Sequence, residues 1–225
     1  MATSYNPSIV TNGLVLYYDA ANTKSYPGSG TVWTDRSSSQ NASTLTNASF
    51  AGANLGAITF TGANTSYAKT NTVTNITNKD FTVSFWGYST GAVTSYPTVW
   101  SQQGGTVVQF WTCNGAGKTL GVWASGSSIL NASASIPYNT WHQGTMTYTN
   151  SNKNVQFYLN GVADGASQNL VISFSSLNTS EYIGSWLAGG QNLAGGVGIF
   201  QLYNRALSAS EIQQNFNAIR RRYNV

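Results

Sequence analysis

The stretch Phe81-Thr82-Val83-Ser84-Phe85-Trp86 alternates side chains in a way that predicts the fold. Successive side chains of a β-strand point to opposite faces, so its first, third and fifth residues are predicted to share one apolar face. The stretch Val155–Leu159 has the same alternation and is followed by Asn160-Gly161, a dipeptide typical of a hairpin turn. Strands with one apolar face predict two sheets packed around a common core.

Short β-branched or aromatic runs, separated by clusters of Gly, Asn, Ser and Pro, fill the chain from about Gly13 to Tyr203. Such spacing is typical of a sandwich or barrel. The predicted strands are Leu14–Tyr18, Ala57–Phe60, Phe81–Tyr88, Thr98–Ser101, Val107–Trp111, Leu120–Ala124, Gln143–Tyr148, Val155–Leu159, Tyr182–Ser185 and Gly198–Tyr203. The fold class predicted is all-β, a two-sheet antiparallel jelly-roll sandwich.

One short C-terminal helix, over about residues 208–222, is the predicted exception. Ser208 and Glu211 form a capping box, and Ile212, Phe216 and Ile219 follow at helical spacing as one apolar stripe. All-β domains of roughly 200–250 residues are common, so residues 1–225 are predicted to form a single domain with a short N-terminal arm, 1–12.

Charged residues make up only 7% of the chain, against about 25% in an average domain. Solubility then rests on amide and hydroxyl groups, which lose less on burial in an assembly than ion pairs do. The net charge of +4 includes Arg220, Arg221 and Arg222, which complement the dipole at the helix end. No basic stripe is interleaved with aromatic residues, so we expect no nucleic-acid partner.

Residues 1–10 lack the basic start and apolar run of a signal peptide, and no stretch reaches the ~18 apolar residues of a membrane span. We therefore expect no signal peptide, no membrane span and folding in a cytoplasm. Cys113 is the only cysteine, so no intrachain disulfide is expected.

Five segments together resemble the laminin-G-like jelly rolls of the concanavalin A-like lectin/glucanase superfamily. They are Asn12–Asn22, Phe81–Trp86, Thr140–His142, Val155–Gly161 and Tyr203–Ile212. The opening Leu16–Asp35 and the closing Gln213–Tyr223 are similar to versions found in virion proteins of tailed phages. Members of this superfamily include glucanases, lectins and adhesion or assembly modules, so the fold assigns no function by itself.

Catalytic patterns are not found. Retaining glucanases of this fold carry paired carboxylates about 5 Å apart, whereas the only glutamates here, Glu181 and Glu211, lie thirty positions apart. The segment Gly115–Thr119 matches only the end of the phosphate-loop motif and is predicted to be a hairpin turn. The sequence has no Gly-x-Ser-x-Gly turn that would supply a nucleophilic serine for the lone His142. A structural hydrogen bond is therefore its predicted role. We therefore expect no enzyme activity.

No metal site and no cofactor are predicted. The superfamily's acidic calcium positions are occupied here by Phe60-Thr61-Gly62 and Val197-Gly198-Ile199, which supply no carboxylate. Asp19 and Asp35 still leave calcium open as an alternative.

A polar and aromatic outer face is the main candidate site. Strand alternation predicts that six candidate residues lie on outer faces: Trp86, Gln109, Trp111, Trp123, Gln156 and Tyr158. Trp186 is a further candidate. Such a face suits stacking against sugars, a subunit contact, or a second small core beneath loops and the terminal helix.

The function predicted first is a non-enzymatic phage virion structural protein, a capsid decoration or cement protein or a small tail component. It would act by surface contact, through self-association or contact with other virion proteins of the shell. Its predicted location is the virion, after synthesis in the host cytoplasm. The alternative is a lectin-like carbohydrate-binding module that attaches to host-surface glycans.

Overall fold

Two antiparallel sheets and one C-terminal helix form the architecture. The computed structural model describes residues 7–93, 95–104, 107–115, 117–127, 129–172, 174, 177–186 and 191–225. Within these ranges the strands divide into a nine-stranded sheet, here sheet I, and an eight-stranded sheet, here sheet II. All pairings between these strands are antiparallel, which confirms the predicted jelly-roll sandwich.

The strands of each sheet follow a jelly-roll order rather than the order of the chain. Sheet I contains, in spatial order, β14 (Val162–Ala163), β13 (Asn154–Leu159), β12 (His142–Thr149), β7 (Phe81–Ser89), β17 (Ala194–Tyr203), β5 (Ala57–Thr61) and β4 (Ser49–Ala51), with β1 (Leu14–Asp19) paired to β17 and β15 (Gln168–Asn169) paired to β13. Sheet II contains β11 (Leu130–Asn131), β10 (Thr119–Ala124), β9 (Val108–Asn114), β8 (Thr98–Gly104), β16 (Leu177–Ile183), β6 (Tyr67–Thr70), β3 (Ser43–Thr46) and β2 (Val32–Trp33). A short 3₁₀ helix spans Gly52–Asn54.

The core lies between the sheets and consists mainly of large rings. Phe81 and Phe85 of β7 are fully buried, as the alternation predicts. Phe81 lies 6.0 Å from Trp100, and Phe85 lies 5.7 Å from Phe110, measured between ring centroids across the two sheets. Burying each such side chain contributes roughly 1.5–3 kcal/mol to folding.

Helix α1 (Ala209–Tyr223) packs on the outer face of sheet I. Its predicted capping box is confirmed, since the Glu211 amide donates to Ser208 Oγ at 3.3 Å and the Ser208 amide donates to Glu211 Oε2 at 2.9 Å. At the other end, both Arg222 guanidinium nitrogens donate to the Asp19 carboxylate of β1, at 2.7 and 3.0 Å. The helix is therefore capped at its start and anchored to sheet I at its end.

The ten predicted strands are all present, with shifted ends, but seven further short strands were not predicted. These are β2, β3, β4, β6, β11, β14 and β15, each two to four residues long. Sequences such as Ser43–Thr46 have no apolar run, and their strand geometry comes from pairing with distant segments. Long-range backbone hydrogen bonding, rather than local propensity, decides these elements.

The N-terminal arm is held by α1 and by the last residue of β17. The Val10 amide donates to Asn215 Oδ1 at 2.7 Å, and the Tyr203 hydroxyl donates to the Val10 carbonyl at 3.0 Å. Residues 1–6 of the predicted arm lie outside the described residues. That residues 1–225 form a single domain stays a prediction.

Glu181 is a fully buried carboxyl of β16, enclosed by hydrogen-bond donors. It accepts from the hydroxyl of Thr70, the amide of Thr74 and the side-chain amide of Gln102. Burial nevertheless raises the pKa of Glu181 from 4.5 to about 7, because desolvation outweighs the hydrogen bonds that favour its charged form.

The substitution Glu181→Gln tests whether desolvation outweighs the hydrogen bonds that favour the charged carboxylate. A folded-state pKa above the unfolded value means that Glu181 stabilises the fold fully below about pH 4.5, and that this contribution is lost as pH rises through about 7. Between pH 4.5 and 8 the wild type should therefore lose up to about 3 kcal/mol of unfolding free energy relative to Glu181→Gln. Urea denaturation of both proteins at several pH values measures the difference. Other titrating groups are common to the two proteins, so parallel pH curves would contradict the assignment.

Candidate functional site

An aromatic cleft lies on the outer face of sheet II. Gln109 and Trp111 of β9 and Trp123 of β10 contribute to it, and the antiparallel register places Gln109 opposite Trp123. Loop residues close the cleft around these strand positions. Its volume is about 150 Å³, and it is lined by Tyr96, Gln109, Trp111, Trp123, Ile129, Trp186 and Gln191.

The rings of the cleft meet edge to face. Trp123 and Trp186 are almost perpendicular, at 86° with centroids 6.2 Å apart, and Tyr96 meets Trp111 at 66° and 4.9 Å. Edge-to-face pairs are a favoured arrangement of aromatic side chains. These contacts hold the rings in fixed orientations around the cavity.

A glycine allows Trp111 to lie close against the sheet. A Cβ atom built on Gly121 of β10, which pairs directly with Trp111, would lie 2.5 Å from the indole nitrogen Nε1. Any larger residue at this position would displace the indole ring. The sequence motif Leu120-Gly121-Val122 therefore sets the depth of the cleft floor.

The cleft residues differ in access to solvent, which corrects one expectation. Trp111 was predicted to offer its ring at the surface, and it does face outward from the sheet, but it is completely buried. Gln109 is only 2% exposed and also lies in the floor, where its amide donates to the Thr98 hydroxyl. Tyr96, Trp123 and Trp186 are half-buried and form the accessible walls.

Three further candidate residues lie on sheet I, apart from the cleft. Trp86 is fully buried because α1 covers it, with Phe216 stacked at 5.6 Å and Tyr223 at 4.7 Å. Tyr158 is 8% exposed and packs in the apolar cluster beneath the same helix. Trp86 and Tyr158 thus follow the alternative interpretation of a second small core rather than a contact surface.

Gln156 is the last of the predicted contact residues, and its amide is already engaged. It donates to the Phe157 carbonyl at 2.9 Å and to the Gly165 carbonyl at 3.0 Å. Gln109, Trp111, Trp123 and Trp186 are therefore the predicted residues that the fold brings together. Tyr96, Ile129 and Gln191 were missed, because they lie in connecting segments without periodicity.

The described residues that line the cleft carry no formal charge, because none of them is Asp, Glu, Lys or Arg. Its hydrogen-bonding groups are the Gln191 amide, the Tyr96 hydroxyl and indole N–H groups, together with the Gln109 amide in the floor, which already donates to Thr98. Ile129, 42% exposed, adds an aliphatic edge. The cleft can thus stack on a flat apolar surface and exchange hydrogen bonds with neutral polar groups.

His142 has the structural hydrogen bonds that its position in the sequence suggested. Its Nε2 lies 2.8 Å from the Thr112 hydroxyl, and its Nδ1 lies 3.0 Å from the Thr140 carbonyl. Burial lowers the pKa of His142 to about 4, so the ring is neutral at pH 7. Burial likewise raises the pKa of the nearby Cys113 thiol, which disfavours the reactive thiolate.

The carboxylates considered for metal binding or catalysis bind protein donors. Asp19 pairs with Arg222, while Asp35 accepts from the backbone amides of Tyr17, Ser37 and Asn41. Among the residues that the structure describes, no three His, Cys, Asp or Glu side chains form a group that could hold a metal ion.

Glu211 is also engaged, in two ways. Besides capping α1, it forms a bidentate ion pair with Arg205, at 2.6 and 2.9 Å. The hydrogen bonds from Arg205 lower the pKa of Glu211 to about 2. Its carboxylate is therefore a structural anchor of the helix start.

The segment Gly115–Thr119 connects β9 to β10, which form an antiparallel hairpin. Lys118 lies with its ammonium nitrogen 4.5 Å from the centre of the Tyr138 ring. Ala116, within the segment, is outside the described residues.

Comparison with known families identifies the fold independently. A family model described as the concanavalin A-like lectin/glucanases superfamily matches residues 61–213. The chain belongs to this superfamily. A search of curated protein sequences finds no significant match.

Solved structures with the same fold come from several kinds of protein. Trypanosoma rangeli sialidase in complex with the inhibitor DANA superposes with a TM-score of 0.70 at 18% identity, covering 95% of this chain and 35% of the sialidase. Domain 4 of an extracellular arabinanase from Geobacillus stearothermophilus, in complex with arabinotriose, gives 0.69 at 18% identity over 92% of this chain and 99% of that domain. The binding domain of botulinum neurotoxin serotype G gives 0.58 at 12% identity, over 90% and 50% of the two chains.

These similarities have a defined scope. The chain spans about a third of the length of the sialidase that it matches. At such low identities they show a shared fold.

No helix in the described ranges has the length and apolarity needed to span a membrane.

Alanine substitutions at Trp111 and Trp123 should distinguish a ring that is buried in the cleft floor from one that is accessible in the cleft wall. Trp111→Ala removes a fully buried ring and should lower the unfolding free energy by about 3–5 kcal/mol. Trp123→Ala removes a half-buried wall and should cost less than about 2 kcal/mol. Urea denaturation, with the slope checked for two-state behaviour, measures both. Equal losses would show that Trp111 is not the floor of the cleft.

Proposed function

We propose that this domain is a non-catalytic carbohydrate-binding module and that its aromatic cleft binds a sugar ring. The observation that carries the proposal is the convergence of Tyr96, Trp123 and Trp186 around an uncharged cavity with glutamine amides. Aromatic faces cover the apolar C–H surface of a sugar, while amides exchange hydrogen bonds with its hydroxyl groups.

The size of the cleft favours a single ring. Its volume of about 150 Å³ is half the lower limit of about 300 Å³ for drug-sized sites. One terminal or internal sugar unit would therefore enter the cleft, while the rest of a glycan would extend along the outer face of sheet II. Perpendicular rings at Trp123 and Trp186 offer two walls at a corner for that unit.

The absence of charge in the lining favours neutral sugars. An acidic sugar would bring a carboxylate into a cleft whose described lining includes no Lys or Arg, and its desolvation would be uncompensated. The sialidase similarity concerns the fold and does not carry over the ligand in that structure's title.

The absence of catalysis in this proposal rests on how the glutamates are used. Glu181 is enclosed by Thr70, Thr74 and Gln102, and Glu211 caps α1 and pairs with Arg205. Neither lines the aromatic cleft. Binding rather than bond cleavage is the chemistry that the cleft residues support.

Glycan retention by variants of the cleft walls tests this function. Trp123→Ala and Trp186→Ala should each weaken retention on neutral glycans at least about tenfold, which corresponds to 1.4 kcal/mol. The matched control is Tyr182→Ala, which removes an aromatic ring from the outer face of sheet II away from the cleft lining. Retention on an array of neutral and sialylated glycans is the measurement, with circular dichroism to confirm folding. Unchanged retention in both tryptophan variants would refute the choice of site.

The virion role is a second proposal, compatible with the first. The supporting observation is the sequence composition, since 7% charged residues leave a surface that loses little on burial against other subunits. A decoration or tail protein of a phage particle could also hold the particle to host glycans through the cleft.

Copy number in purified particles tests the virion role. Quantitative mass spectrometry against the main shell protein should give hundreds of copies for a decoration protein and a handful for a tail component. Absence of the chain from the particles would refute the virion proposal and leave the carbohydrate-binding proposal intact.

A further inference from the structure

A second aromatic recess lies on the outer face of sheet I. It has a volume of about 310 Å³ and is lined by Tyr88, Thr90, Asn139 and Trp141. Tyr88 is near the end of β7, Trp141 immediately precedes β12, and Thr90 and Asn139 lie in the adjoining loops. Helix α1 covers the neighbouring part of this face but leaves the recess open, since Tyr88 and Trp141 are half-buried and the other two residues are exposed.

The rings of this recess pack against neighbouring groups, as those of the cleft do. Tyr88 lies across Gly196 of β17, where a Cβ atom would be 2.6 Å from the tyrosine ring. Trp141 meets Tyr88 edge to face at 68°, with ring centroids 5.0 Å apart. The Tyr223 ring packs against Trp141, with centroids 4.4 Å apart. Ordering the rings beforehand lowers the entropy lost when a ligand binds.

The polar groups of the recess are also of the same kind. Asn139 offers an amide, the Thr90 hydroxyl is engaged as a donor to the Ala194 carbonyl at 3.1 Å, and none of the described lining residues is charged. Asn139 has a φ of 58°, a left-handed conformation that asparagine tolerates better than most residues. Flat rings beside neutral hydrogen-bonding groups again match a sugar's mixture of C–H surface and hydroxyls.

One internal hydrogen bond relates the two sites in space. Thr112 of β9 and His142 of β12 interact at 2.8 Å across the interior, from sheet II to sheet I. Trp111 and Trp141 each precede one member of this pair, and alternation turns them to the outer faces, where Trp111 lines the cleft and Trp141 packs against Tyr223. The cleft and the recess therefore lie at the same end of the sandwich, on its opposite outer faces.

We propose that the recess of Tyr88, Thr90, Asn139 and Trp141 is a second binding site for a neutral sugar, so that one chain holds two glycan units on opposite faces. The ligand class rests on the proposed function of the cleft, while the site itself rests on its own geometry. Two sites on one domain would raise the avidity for dense glycan surfaces without any further contact.

Site-resolved titration of the full chain tests this proposal. The probes are methyl glycosides and the disaccharides lactose, cellobiose and maltose, followed through the indole N–H resonances in ¹⁵N-labelled protein. The expected result is saturable shifts of the Trp141 resonance as well as of Trp123 and Trp186, with the buried core tryptophan Trp100 as an unshifted reference.

Variants separate the two sites. Asn139→Gly keeps the left-handed backbone and removes the amide, so it should weaken the Trp141 titration several-fold and leave that of Trp123 unchanged. Asn78→Gly is the matched control, since Asn78 is also exposed and has a φ of 53°. Trp123→Ala should abolish binding at the cleft while the Trp141 titration persists.

Each outcome has a separate meaning. Shifts at Trp123 and Trp186 without any at Trp141 would overturn the second site and leave the proposed function standing. Shifts at Trp141 alone would support the recess and overturn the cleft. No saturable shift with any probe would overturn both, and an effect of Asn78→Gly equal to that of Asn139→Gly would overturn the role of the Asn139 amide.

Discussion

Burial of aromatic side chains between the two sheets is the interaction on which the rest of the structure depends. The inward rings of β7 and β9 pack against each other across the sandwich, and strand alternation then forces their neighbours outward. On sheet I these outward residues meet α1, which buries Trp86 and Tyr158. On sheet II no helix in the described part of the chain covers the strands at Gln109 and Trp123, and a cleft is left between loops. The position of one helix thus decides which aromatic side chains on the outer faces are covered and which line an open recess.

Glycine residues set the shape of both recesses. Gly121 lets Trp111 lie against β10, and Gly196 lets Tyr88 lie against β17. In each case a ring occupies the space where a Cβ atom would be, and the adjacent rings meet it edge to face. These contacts order the rings before a ligand binds, which would lower the entropy lost in the proposed binding of a sugar.

The scarcity of charge has a structural counterpart. Of the six acidic residues, Asp19 and Glu211 pair with arginines that anchor α1, and Asp35 and Glu181 are enclosed by protein donors. The acidic groups that relatives could use for metal or for catalysis serve here to hold the helix, loops and sheets together. The proposed binding sites are left with aromatic, amide and hydroxyl groups, and superfamily membership alone would not have indicated this.

The sequence by itself determined the sandwich, the ten longer strands, the capped helix and four of the cleft residues, because periodicity and capping are local properties. It also grouped Trp86 and Tyr158 with the cleft tryptophans, since alternation shows that a side chain leaves the core but not what covers it. Tertiary structure alone decided that α1 buries the first pair, that Tyr96 covers Trp111, and that Ile129 and Gln191 complete the cleft. Exposure depends on contacts between segments far apart in the chain, and no local pattern in the sequence encodes those contacts.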